Sequence, residues 1–220
     1  SSATILPAMY ALQAILDAHD IPLKLHGGAD VHVAPDLVER LSNGSVPTLN
    51  NSRYFLLEPP HEVLPPKLEG FATQLLQAGF VPIITHPERL LWAERHFDII
   101  RRLADVGCLM QITAGSVLGG FGAMAARLSA QMLKEDLVDF FASDGHGTTW
   151  RKPLLSEAYA AIAGQFGREQ AQQMFVHRPV AILANEAPDR LSGQRPGLRQ
   201  MSANAPGFAR RLVHRVLGNG

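Results

Sequence analysis

Apolar residues in this chain follow two alternating rhythms. A continuous apolar run at 54–57 and mainly apolar runs at 81–84, 108–112 and 138–142 read as strands, and 22–25 reads as a further short one. Between them, apolar positions recur at helical spacing over 7–19, 35–41, 68–78, 88–104, 121–134, 153–165, 168–176 and 178–184. The punctuation agrees: Pro7 suits a first helical turn, and Asn43-Gly44, Gly79 and Gly107 stand where helices stop. No internal repeat interrupts the pattern. Such alternation predicts an α/β fold with parallel strands.

The polar residues that follow the apolar runs carry the chemistry. The five strands give way to Asp30, to Glu58, to His86, to Gln111-Ile112-Thr113, and to Asp144 with His146. In barrels of alternating strands and helices, the loops after the strands gather on one face, so these positions are expected at one rim. Each alone has an ordinary use: a loop acid before Pro59-Pro60, a strand-end histidine before Pro87, a turn cap at Asp30. Together they are costly, because unpaired like charges lose several kcal/mol when desolvated. Divalent metal ions remove that cost, and mixed imidazole and carboxylate ligands suit Zn, Mn or Fe.

Charge alters the picture only locally. Lys plus Arg equals Asp plus Glu at 20 each, which argues against a nucleic-acid partner. Residues 190–220 nevertheless hold six arginines and no acid. The segment 188–220 reads as a basic, flexible tail behind a domain at 1–187. Its stretch FARRLVHRVL sets Phe208, Leu212, Val213, Val216 and Leu217 near one face, suited to anionic lipid or an acidic partner. The single cysteine, Cys108, lies in an apolar run, excludes an intrachain disulfide and fits a reducing compartment. It has no arginine at Cys-x5-Arg spacing, so cysteine-based phosphatase chemistry is excluded. The glycine-rich turn 114–122 follows a strand and opens a helix, but it lacks the lysine of a nucleotide P-loop and reads as a close-packed turn.

The segments Gly28-Ala29-Asp30, Tyr54-Phe55-Leu56-Leu57-Glu58, Ile84-Thr85-His86-Pro87-Glu88-Arg89, Gln111-Ile112-Thr113-Ala114-Gly115-Ser116 and Ala142-Ser143-Asp144-Gly145-His146 occur in that order. With Arg151 seven residues after Asp144, the chain resembles the PHP-type (polymerase and histidinol phosphatase) protein-tyrosine phosphatases of bacterial capsule and exopolysaccharide operons. The resemblance runs from residue 1 to about 187. It implies a distorted (β/α)7 barrel of α/β class and a divalent metal cluster, manganese foremost with iron or zinc as alternatives. It assigns Asp30, Glu58, His86, Asp144 and His146 to the metals, and Arg89 and Arg151 to catalysis as phosphate contacts. The substrate implied is the phosphorylated tyrosine-rich tail of a polysaccharide-assembly tyrosine kinase, in the cytoplasm, with the tail able to draw the chain to the inner membrane face. Two departures stand out: Asp30 occupies a position more often Glu, and the family's opening His-x-His strand has no counterpart. The chain is therefore expected to lack the first strand–helix units, as a fragment in preference to a natural truncation. Two other readings are a PHP-type phosphoesterase on a small-molecule phosphate and an inactive kinase-docking module.

Overall fold

The structure, a computed structural model, describes residues 2–191 of the chain; most of the predicted tail falls outside the described residues. Five strands form one sheet: β1 (Asp30–His32), β2 (Tyr54–Glu58), β3 (Val81–Thr85), β4 (Leu109–Thr113) and β5 (Phe140–Ala142). They lie in sequential order and every neighbouring pair is parallel. Parallel neighbours need a crossover, and helices supply it. These are α2 (Leu37–Ser42) after β1, α3 (Leu68–Gln77) after β2, α4 (Phe97–Val106) after β3, and α5 (Ala114–Val117) with α6 (Gly122–Lys134) after β4. An N-terminal α1 (Ser2–Ala18) precedes the sheet, while α7 (Ser156–Phe166), α8 (Arg168–Gln172), a π-helical turn (Gln173–His177) and α9 (Arg178–Leu183) follow it.

The continuous apolar runs are explained by burial on both faces. Alternate residues Phe55, Leu57, Ile84, Met110, Ile112 and Phe141 join the main core, against Leu75, Ile100, Leu103, Leu128 and Met132 of the crossover helices. Their neighbours Tyr54, Val81, Ile83, Leu109 and Phe140 face the other way, onto Ile182 and Leu191. A side chain fully buried in this manner contributes about 1.5–3 kcal/mol. Gly107 ends α4 at φ +117°, a left-handed position where an L side chain is strained.

Two expectations need correction. Residues 22–25 form no strand. Ile21 and Leu23 are exposed, and the Gln13 side chain serves this segment's backbone, accepting from Leu25 N–H at 2.8 Å and donating to Leu23 carbonyl at 3.0 Å. Pro22 and Lys24 break the apolar run, and the edge of β2 is instead taken by Asp30–His32, with His32 opposite Glu58. Asp30 therefore opens a strand and does not follow one. The helical periodicity of 7–19 is real, but α1 buries none of its residues; it borders a cleft of about 220 Å³ with residues 24–27 and 48–51, away from the strand ends bearing Glu58, His86 and Asp144. At the other end, Pro188–Arg190 forms a 3-10 turn and Leu191 is buried. Among the described residues, no helix is long and apolar enough to cross a membrane.

Candidate active site

Glu58 ends β2, and three imidazoles surround its carboxylate. His61 Nε2 and His86 Nε2 each lie 3.3 Å from Oε1, and His32 Nδ1 lies 3.4 Å from Oε2. The donors of Glu58, His61 and His86 all fall within 4.8 Å of one another. His32 stands opposite Glu58 in the β1–β2 register, whereas His61 arrives from the Pro59-Pro60 turn.

His86 follows β3 at φ +36°, in the left-handed region and directly before a proline, where the residue is already restricted. Such a conformation costs of order 1–3 kcal/mol and persists where the surroundings enforce it. The ring is 4% exposed, and its Nδ1 has no hydrogen-bond partner. Burial, then the nearby Arg89 charge, lowers its pKa from 6.5 to about 4. The imidazole is thus neutral at physiological pH, the form that ligates metal. Asp30 has an accessible place on the sheet edge, yet the packed rim around its carboxyl and the Glu58 charge lift its pKa to about 6, against an opposing pull from His32.

A second group forms around Asp144, beyond β5. Asp144 and Arg151 both adopt φ +49°. Arg89 Nη1 donates to Asp144 Oδ2 at 2.5 Å, and Arg151 Nη2 donates to the same oxygen. Both guanidiniums lie over the Phe121 ring, 4.3 and 5.6 Å from its centroid. Burial lowers the pKa of each, Arg151's also through Arg89, while the Glu58 charge acts on both in the opposite direction. Arg151 Nε is buried without a partner. Two cations sharing one carboxylate leave an excess of positive charge suited to a dianion. His146 is more exposed, with Nδ1 2.9 Å from the Asp144 carbonyl and 3.6 Å from its Oδ1.

Glu88 fastens this rim from below. Its side chain is wholly buried, and Oε1 accepts from Thr113 N–H at 3.0 Å and Ser116 hydroxyl at 2.7 Å. Burial raises its pKa to about 6, and Oε2 has no partner. The turn carrying Arg89 is thereby tied to the end of β4.

Of the predicted residues, the structure brings Glu58 to His86, and joins Asp144 to His146, Arg89 and Arg151. In this arrangement Asp144 faces the arginines and is not among the three clustered donors. Sequence reasoning missed His61, His32, the Phe121 platform and the buried role of Glu88. His61 alone had a visible signal, a second ligand-type residue three positions after Glu58. The donor set fits a divalent metal: neutral imidazole beside carboxylate, a buried ring with an orphaned nitrogen, and acids whose burial is costly without a cation.

Comparison with known proteins agrees with this chemistry. The family model for capsular polysaccharide synthesis, CpsB/CapC, matches residues 1–184. The tyrosine-protein phosphatase CpsB of Streptococcus pneumoniae is 31% identical over 164 residues, covering 72% of this chain and 68% of that protein. The putative tyrosine-protein phosphatase CapC of Staphylococcus aureus is 34% identical over 137 residues, covering 62% of this chain and only 54% of its own length. The match to the tyrosine-protein phosphatase YwqE of Bacillus subtilis is 29% identical over 167 residues and spans 66% of that protein. Crystal structures of YwqE and CpsB, described as unique metal-dependent tyrosine phosphatases, include one that superposes with a TM-score of 0.80 at 28% identity, covering 84% of this chain and 74% of that one.

Proposed function

Because this chain belongs to the CpsB/CapC family of capsular polysaccharide synthesis, we propose that it acts as a metal-dependent protein-tyrosine phosphatase in capsule or exopolysaccharide production. The observation that carries the reading is the pairing of Arg89 and Arg151 on one carboxylate, beside a carboxylate–imidazole donor group. We read the five-stranded parallel sheet as an arc of a distorted (β/α)7 barrel, with Glu58, His86, Asp144 and His146 at the C-terminal rim and Asp30 beside Glu58 on the edge strand.

In this reading Asp30, Glu58, His86, Asp144 and His146 hold divalent cations, manganese first among them. Such cations supply Lewis acidity and a nucleophile from water at neutral pH. The remaining work falls to the chain's own residues. A phosphomonoester dianion offers three oxygens to the two forks that now share a single Asp144 oxygen, and guanidinium stays charged throughout the pH range of catalysis. The Phe121 ring beneath both forks fixes their planes, so little orientational freedom remains to be lost on binding. Glu88 keeps Arg89 in register with the β4 rim. The substrate we assign is phosphotyrosine on a polysaccharide-assembly tyrosine kinase, met in the cytoplasm, with the basic segment after residue 188 favouring the inner membrane face.

The test is hydrolysis of a phosphotyrosine peptide by chelator-dialysed protein, with and without Mn²⁺. Activity is expected only with the cation, and should exceed that on histidinol phosphate or a nucleotide. Turnover undiminished in chelator, or a preference for the small alkyl phosphates, overturns the reading.

A further inference from the structure

We propose that His61 is a metal ligand of this chain, completing a Glu58–His61–His86 donor set. The inference rests on the metal-dependent reading above, but His61 lies outside the residues that reading assigns.

Three observations carry it. The first is spacing. Two ligands held roughly 2.0–2.1 Å from one ion at a tetrahedral angle stand about 3.3 Å apart. Glu58 Oε1 lies 3.3 Å from His61 Nε2 and 3.3 Å from His86 Nε2. A charge-assisted N–H···O bond is shorter, about 2.7–2.9 Å, so both separations suit a shared cation better than a direct bond.

The second is rigidity. His61 follows Pro59 and Pro60, whose ring-fixed φ angles stiffen the turn. Its carbonyl accepts from Leu91 N–H at 2.9 Å, and the preceding Pro60 carbonyl accepts from the Trp92 indole at 2.9 Å. The turn after β2 is thus bolted to the segment after β3, which also carries His86. A side chain needed only for solvation requires no such fastening.

The third is chemistry. The His61 and His86 rings sit 5.0 Å apart and tilted by 42°, so they do not stack flat against each other. His86 is buried and His61 about one-third exposed, so the site keeps an open side towards solvent. Three protein ligands with an open position is the pattern of a catalytic metal. His32, on the opposite carboxylate oxygen and 77% exposed, lacks both the turn and the burial.

The experiment uses the whole chain, stripped with chelator and titrated with Co²⁺, followed by calorimetry and by visible absorption. His61→Ala and His61→Asn are compared with His86→Ala as positive control and His32→Ala as the neighbouring imidazole; circular dichroism establishes that each is folded. Loss of an outer partner typically weakens metal binding by about 10–100-fold. Both His61 variants are expected to weaken Co²⁺ binding at least 10-fold and to alter the visible band, because a nitrogen donor is lost. Weakening under 10-fold while His86→Ala loses the ion overturns the proposal and leaves the metal centre standing. An unchanged band also overturns it, placing His61 outside the coordination sphere. If His86→Ala itself binds as the parent does, the metal-centre reading falls with it.

Discussion

Glu88→Gln isolates the electrostatic cost of the rim's buried carboxylate. Burial raises the Glu88 pKa from 4.5 to about 6. A shift of about 1.5 units corresponds to about 2 kcal/mol, since each unit is worth about 1.4. The sign follows from proton binding. Between pH 4.5 and 6 the folded protein holds more protons at Glu88 than the unfolded chain. This contribution is therefore fully present below 4.5 and is lost as pH rises through 6. Glutamine cannot ionise. It keeps an oxygen for Thr113 N–H and Ser116 hydroxyl, but sets an unpartnered amide where Oε2 stood, at a cost of about 1 kcal/mol. At pH 8 the variant should thus be about 1 kcal/mol more stable than the parent. Below pH 4.5 it should be about 1 kcal/mol less stable. The assay is urea unfolding in chelator from pH 4 to 8, with the parent-minus-variant difference plotted against pH. A swing of about 2 kcal/mol centred between 4.5 and 6 is expected; a flat difference refutes the reasoning.

Arg89→Ala and Arg151→Ala should each lower kcat/KM for a phosphotyrosine peptide by roughly 10²–10³-fold, with metal content by elemental analysis unchanged and lysine rescuing only partly. Asp30→Asn should stabilise the chelated protein near pH 7 by about 1 kcal/mol, after discounting for solvent screening at an exposed edge. The gain follows from the raised Asp30 pKa, whose stabilising contribution is complete below pH 3.8 and lost through about 6, and unfolding at pH 5 and 7 checks it. Asp139→Ala should cost about 2–3 kcal/mol in denaturant unfolding, because Asp139 is fully buried and accepts the Met110 N–H at 2.7 Å.

Periodicity was a sound guide wherever tertiary burial matched local pattern. The runs at 81–84 and 108–112 became β3 and β4, each buried at every position. It failed at 22–25, where a strand depends on having a neighbour in register and not on its own residues. It marked α1 correctly as a helix, but helical spacing cannot say whether an apolar face is covered, and α1 buries none of its residues. At the site, Glu58, His86 and Asp144 stood out because ligand-type residues followed apolar runs, whereas Arg89 and Arg151 stood out only through the motifs that contain them. The left-handed backbones of His86, Asp144 and Arg151 were not legible, since neither a histidine before proline nor an arginine advertises positive φ. Of His61 only the residue type and its place three positions after Glu58 were legible; its approach depends on Leu91 N–H and the Trp92 indole of the segment after β3, contacts set by three-dimensional packing.

The sequential order of the sheet also permits assembly strand by strand along the chain. Each strand pairs with the next in the chain, as Leu57 with Ile84 and Ile84 with Met110. Each closure therefore spans a single helical crossover, and the entropic cost of closing a loop grows only slowly with length. Folding can then advance one strand at a time without rearranging earlier pairings. The two halves of the rim mature at different moments. Docking β3 onto β2 already brings His86 to Glu58, whereas Asp144 waits for β5. An ion that binds the first half stabilises a partly folded chain by mass action, as any ligand selective for a structured state must. If Glu58 and His86 hold a cation, its concentration should thereby shift the stability of a chain in which β5 has not yet docked, before any hydrolysis is possible.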